Sequence, residues 1–212
     1  MNPILLVYPP GSGGDFLSGL YVMYMHNGTL LKADNSQWSW AHNTPQNPHD
    51  TTDPRLHRYG ESFPESVLTS AHSNTVVDLS LHTQHTLTHI TVDDHLTQHV
   101  AELYCKKHWM YPQRPQGNDT IADTSDCIQQ ASNPVKGFTT YNYSELFDPV
   151  NSTIPKLLAD WGTVVADQEV LQHVIQYYIK CNTELLNGQR NAPIEFHNPA
   201  DIMTELRKVG YV

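Results

Sequence analysis

The sequence predicts an α/β protein of three layers, α/β/α, with a parallel sheet between two sets of helices and a helical C-terminal part. Three observations lead there. A continuous apolar run, Ile4-Leu5-Leu6-Val7-Tyr8, passes at once into a glycine-rich turn and an amphipathic segment. Strand-like and helix-like segments then alternate between residue 66 and about residue 108, the pattern of βαβ units. Beyond about residue 152 the apolar residues recur at helical spacing.

Ile4 to Tyr8 has no polar alternation, which suits a central strand buried on both faces. Residues 9 to 14 form the loop, and a helix is expected from about Asp15 to Met25. Phe16, Leu17, Leu20, Tyr21 and Tyr24 fall on one face, and Asn27-Gly28 stops it. Residues 32 to 64 carry Trp38, Trp40 and several prolines without a period. Such a stretch reads as a long loop, a candidate lid whose tryptophans stack on a planar ligand or anchor the loop. Ser66 to Ala71 reads as a strand ending at His72, and residues 74 to 82 as a short helix. "TLTHITV", Thr86 to Val92, alternates and is β-branched, hence a strand. Asp93-Asp94 is placed to cap a helix to about His108, with Val100, Leu103 and Tyr104 inward. Residues 110 to 138, rich in Pro, Gln, Asn, Asp and Ser, read as a second long loop. Phe138 to Tyr143 is a further strand. Helices are expected over about 152 to 161, ending at Gly162, and over 167 to 186, ending at Gly188. A last one starts at Asn198-Pro199 and ends before Gly210. With 212 residues and no internal repeat, residues 1 to 212 read as a single domain.

Composition narrows the function. Hydrophobic residues make up 39% and charged residues 16%, so the polarity comes from His, Asn, Gln, Ser and Thr. The formal net charge of -10 argues against a broad nucleic-acid surface, which needs clustered Lys and Arg. Cys105, Cys127 and Cys181 are odd in number and far apart, which suits a reducing compartment. The first apolar run is too short for a signal peptide, and no stretch approaches a membrane span of about 20 apolar residues. The expectation is a cytoplasmic protein without a membrane or nucleic-acid partner.

The loop "PPGSGG" carries the chemistry. The first N–H groups of a helix lack internal partners and its dipole is positive there, so a glycine-rich turn before a helix cradles anions. The P-loop pattern G-x-x-x-x-G-K-[ST] is nevertheless incomplete. Tyr8 stands at its first glycine, and Gly14 and Asp15 stand at its Lys and hydroxyl. No residue there is placed to hold magnesium, so standard ATP chemistry is not expected.

"VYPPGSGGDFL" resembles the N-terminal loop of the sulfotransferase family, whose pattern is roughly Y-P-K-[ST]-G-[ST]-[ST]-[WF]-L after a buried strand. Pro10, Ser12, Gly13, Phe16 and Leu17 fit when Gly11 takes the Lys position. "VLTSAHS" is similar to the strand ending in Thr-His, "THITVDD" to the strand before the 3′-phosphate site, and "YNYSELFDPVNSTIPKLLADWG" to a late family segment. The resemblance implies a P-loop NTPase/sulfotransferase-like fold that uses no metal. It implies a nucleotide-like donor, 3′-phosphoadenosine 5′-phosphosulfate, held by Pro10, Gly11, Ser12, Gly13, Gly14, Asp15 and Phe16. It implies a sulfuryl transfer to the hydroxyl of an unknown acceptor, with His72 as catalytic base. Departures from the pattern are concrete. Gly11 replaces the Lys, Gly14 and Asp15 replace two hydroxyl residues, the Arg near Val92 is missing, and Thr97 is a weak substitute for a Ser. An aspartate beside a bound anion repels it by roughly 4 kcal/mol at 4 Å and an effective dielectric of 20, unless it turns away as a helix cap.

Two other readings stand beside this one. A non-catalytic descendant of the P-loop fold, serving as a binding or assembly module, explains the missing charged residues. A different nucleotide-dependent enzyme would need a basic residue such as Lys32 to replace the loop lysine. Among 13 histidines, His95 and His99 are four apart and would share a helix face. Without HExxH or a cysteine partner no metal is expected, and exposed histidines are the simpler reading.

Overall fold

The computed structural model describes residues 4–24, 68–72, 84–109 and 120–190, together with residues 204, 207, 208 and 210. Strand β1 (Ile4–Tyr8) leads into helix α1 (Gly14–Tyr24). Strands β2 (Leu68–His72) and β3 (Thr86–Thr91) follow, then a 3-10 turn (Asp94–Leu96) that runs into α2 (Thr97–Trp109). Helix α3 (Ile121–Ala131), strand β4 (Thr139–Asn142) and the short α4 (Tyr143–Leu146) precede α5 (Ile154–Asp160) and α6 (Gln168–Leu186).

The described strands form one parallel sheet in the order β2-β1-β3-β4. The unbroken apolar run of β1 suits its central place, with all five residues buried. Its register sets Tyr8 beside His72 on one side and Val7 beside His89 on the other. Alternate side chains of a strand point to opposite faces. Ile4, Leu6 and Tyr8 join Ile90 and Tyr141 in the main core with α1, α5 and α6. On the opposite face the His89 ring reaches the end of α3, and Val92, Val100, Ala101 and Ile128 form a second apolar cluster. Helices therefore cover both faces of the sheet. Trp161 ties α5 to the sheet: its indole N–H donates to Thr88 Oγ1 at 2.8 Å, and its ring meets Tyr21 edge-on.

Most predicted elements have counterparts. Phe16, Leu17, Leu20, Tyr21 and Tyr24 are all buried along α1. Gly162 and Gly188 end α5 and α6 with positive φ. Three expectations need correction. The segment 110–138 is not a loop throughout, because it contains α3. Thr120 caps that helix by accepting from the Asp123 N–H, and Thr124, Ile128 and Ala131 form a short buried stripe. Asp93 caps nothing with its side chain. Its carboxylate instead accepts from Asn142 Nδ2 at 2.8 Å and Ser144 Oγ at 2.9 Å, joining the ends of β3 and β4. His95 lies in the 3-10 turn and His99 in α2, so they are not one turn apart on a single α-helix. Residues 32–64, 74–82 and the cap at Asn198 lie outside the described residues.

Candidate functional site

From β1 the chain moves to β2 on one side, then crosses back to β3 on the other. Among the described strands the direction of winding thus reverses between β1 and β3. In open parallel sheets, ligands bind outside the carboxyl ends of the strands at such a reversal. The loop of residues 9 to 13 leaves β1 at that place and opens α1. The backbone of His72 ends β2 alongside Tyr8, so the predicted base and the predicted loop leave the same edge of the sheet.

Each glycine of the loop has a packing reason. Gly11 has φ +79°, and a Cβ there would stand 2.9 Å from both Tyr104 Cβ and the Val100 carbonyl oxygen of α2. Gly13 has φ +83°, and its Cβ would fall 2.5 Å from Phe147 Cζ and 3.4 Å from the Tyr178 hydroxyl. At Gly14 a Cβ would overlap the Tyr8 ring. Left-handed φ and close approach both demand glycine. The loop is thus wrapped by aromatic side chains of its own chain. Ser12 is fully buried, and its hydroxyl and N–H both reach the Pro9 carbonyl, at 2.7 and 3.2 Å. Pro10 is buried in the same turn. Phe16 is buried and stacks on Tyr178 with ring centroids 4.0 Å apart. No known protein family, curated protein or solved structure matches this chain.

Asp15 decides much of the loop's geometry. Its carboxylate accepts from the Tyr8 hydroxyl at 2.9 Å, across the first turn of α1. The anionic side chain is thereby drawn to the end of β1 and held there by a buried phenol. Lys107, on α2, lies close enough to Asp15 for the carboxylate to favour its charged form. Burial opposes this and is the larger effect, pushing the Lys107 ammonium down to about 8. The ammonium stands 5.3 Å over the Tyr178 ring, a cation–π contact. Burial pushes the Tyr178 phenol up to about 12 and holds the Tyr143 phenol above its usual range. Among the described residues the surroundings of the loop are therefore apolar and aromatic, with the Asp15 carboxylate and the Lys107 ammonium beside it.

The sequence gives no direct sign of Lys107. A faint one exists, because Val100, Tyr104 and Lys107 are spaced four and three residues apart and share a helix face. A lysine on an otherwise apolar stripe is an anomaly that packing must answer. The Thr97 hydroxyl donates back to the Asp94 carbonyl at 2.8 Å. His89 is buried and committed to structure, its Nε2 lying 3.0 Å from the Ala131 carbonyl. Among the described residues, no group of three His, Cys, Asp or Glu side chains is placed to hold a metal. Nor is any described helix long and apolar enough to cross a membrane.

Proposed function

We propose that this chain is a sulfotransferase-like protein whose β1–α1 loop receives the phosphosulfate end of a nucleotide donor, 3′-phosphoadenosine 5′-phosphosulfate. The supporting observation is the loop's place, at the carboxyl edge of a parallel sheet where the winding reverses, with a helix opening from it. The residues fit such a group in part: glycines bring the backbone close, whereas Asp15 sets a carboxylate at the first turn. In the transfer, the acceptor oxygen attacks sulfur as the bond from sulfur to the phosphate oxygen breaks. The acceptor proton passes to His72, and the amides opening α1 stabilise the charge left on the departing phosphate. Sulfuryl transfer of this form needs no metal.

A specific observation favours a second reading. Phe147, Tyr8 and Tyr178 occupy the space against the glycines, and Asp15 is bonded to Tyr8. A loop filled in this way suits a non-catalytic descendant that uses the fold as a binding or assembly module.

Thermal unfolding with millimolar adenosine 3′,5′-bisphosphate separates the two. A ligand at a hundredfold excess over its Kd stabilises by about 2.7 kcal/mol. That corresponds to an upward shift of about 5–10 °C for a domain of this size. No shift would leave only the second reading. If the donor binds, His72→Ala should lower turnover by about 10²–10⁴-fold with donor affinity unchanged.

A further inference from the structure

The sulfotransferase-like reading lacks a cation at the loop, and the structure explains why none can stand at position 11. A side chain there would meet the Val100 backbone oxygen and Tyr104 Cβ at 2.9 Å, on a residue of positive φ. The obstacle is α2 itself. The same helix brings Lys107, three residues beyond Tyr104, to the junction of the loop with α6. Its ammonium lies over the ring of Tyr178, whose hydroxyl in turn lies 3.4 Å from the Cβ position of Gly13. Among the described residues the Lys107 ammonium makes this ring contact but no hydrogen bond or ion pair. An ammonium carries three donors. Lys107 is half-buried, and a cation set over an aromatic ring beside the loop with none of these donors used by the described residues marks a functional candidate.

We propose that Lys107, reaching the β1–α1 loop from α2, is the cation that holds a bound phosphate or sulfonate there. Asp15 is its counter-charge in the free protein. The carboxylate steadies the ammonium, and the Tyr8 hydroxyl holds the carboxylate on the β1 side. An arriving anion competes with Asp15 for Lys107 and supplies acceptor atoms that the described residues do not give the ammonium. The two residues therefore act in opposite directions: Lys107 favours the anion and Asp15 opposes it.

This inference rests on the loop being the anion site, and the test keeps the two apart. Binding of inorganic pyrophosphate and of adenosine 3′,5′-bisphosphate to the full chain is measured by calorimetry for wild type, Lys107→Met and Asp15→Asn. K107M should weaken both ligands at least tenfold. D15N should strengthen them several-fold, and that gain should vanish in the double variant. The ligand-free K107M protein should melt no lower than wild type, because the change removes an unsatisfied cation. A merely structural lysine would give the reverse, a lower melting point with unchanged affinity. If wild type binds and K107M binds equally well, the role of Lys107 is overturned and the loop site stands. Should wild type bind neither ligand, the loop reading falls and this inference with it. Pyridoxal 5′-phosphate followed by borohydride gives a second readout on the unmutated chain. Lys107 should be labelled ahead of the other lysines, and pyrophosphate should protect it. Labelling spread evenly over the lysines, or unprotected at Lys107, overturns the assignment.

Discussion

At the scale of single residues, the glycines separate backbone strain from crowding. Gly13 and Gly137 both have positive φ, +83° and +91°, but only Gly13 has neighbours where a Cβ would go. Placing an L-residue in the left-handed region costs roughly 1–2 kcal/mol, and forcing atoms into a packed core costs a further 1–3 kcal/mol or so. Gly137→Ala should therefore cost about 1 kcal/mol and Gly13→Ala about 2–4 kcal/mol. Urea midpoints at constant m-value measure both, and equal losses would mean that Phe147 yields freely to the added methyl. The glycine-rich turn was legible in the sequence, whereas the packing that requires glycine at 11, 13 and 14 was not. The pattern suggested a nest for an anion; the close approaches themselves come from the Tyr8 and Phe147 rings, the Tyr104 Cβ, the Tyr178 hydroxyl and the α2 backbone. Lys107 was hidden for a related reason. Its place depends on α2 lying against the loop, and contacts across 90 residues of chain leave no local spacing to read.

At the scale of elements, β3 and α3 show how a polar residue enters the interior. His89 is fully buried, and a carbonyl can only accept, so Nε2 carries the proton donated to Ala131. The Val92 N–H donates to Ser132 Oγ at 3.0 Å, a second stitch between the same two elements. Burial lowers the pKa of His89 from 6.5, with the hydrogen bond to Ala131 opposing. Below pH 6.5 the unfolded chain takes up a proton that folded His89 resists, so stability falls as the pH drops towards the folded pKa. One such group changes stability by no more than about 1.4 kcal/mol per pH unit. His89→Gln keeps an N–H for Ala131 and removes the titration. Comparing urea unfolding at pH 7.5 and 5.5, wild type should lose more stability than H89Q; equal losses would assign the acid sensitivity to other histidines. The β3 strand was plain from its alternation, but α3 was not. Its buried stripe is only Thr124, Ile128 and Ala131, too few apolar residues to outweigh the polar composition around them. The signal that was present, Thr120 three residues before Asp123, is a cap rather than a period.

At the scale of the whole molecule, strand-helix alternation announced a parallel sheet, yet the order β2-β1-β3-β4 could not be read, because periodicity carries no information on which strands pair. That order gives the loop its significance, and net charge then governs how an anion reaches it. The chain carries -10 with histidines neutral, so a polyanionic nucleotide binding at the proposed site would approach against the overall field, with Lys107 as the proposed cation at close range. Salt shortens the Debye length from about 30 Å at 0.01 M to about 8 Å at 0.15 M. Over that range the long-range repulsion is screened first, while the proposed contact between Lys107 and an anion would be screened less. Association of adenosine 3′,5′-bisphosphate at pH 7.5 should therefore accelerate as sodium chloride rises through this range, the opposite of a protein with a basic surface. The 13 histidines exceed the formal negative charge in number, so acidification towards pH 5.5 should flatten the dependence as exposed imidazoles protonate. Stopped-flow rates at the two pH values decide it. A rate that falls with salt at pH 7.5 would mean that the local field at the loop outweighs that of the whole chain, and a slope unchanged at pH 5.5 would exclude the histidines as its source.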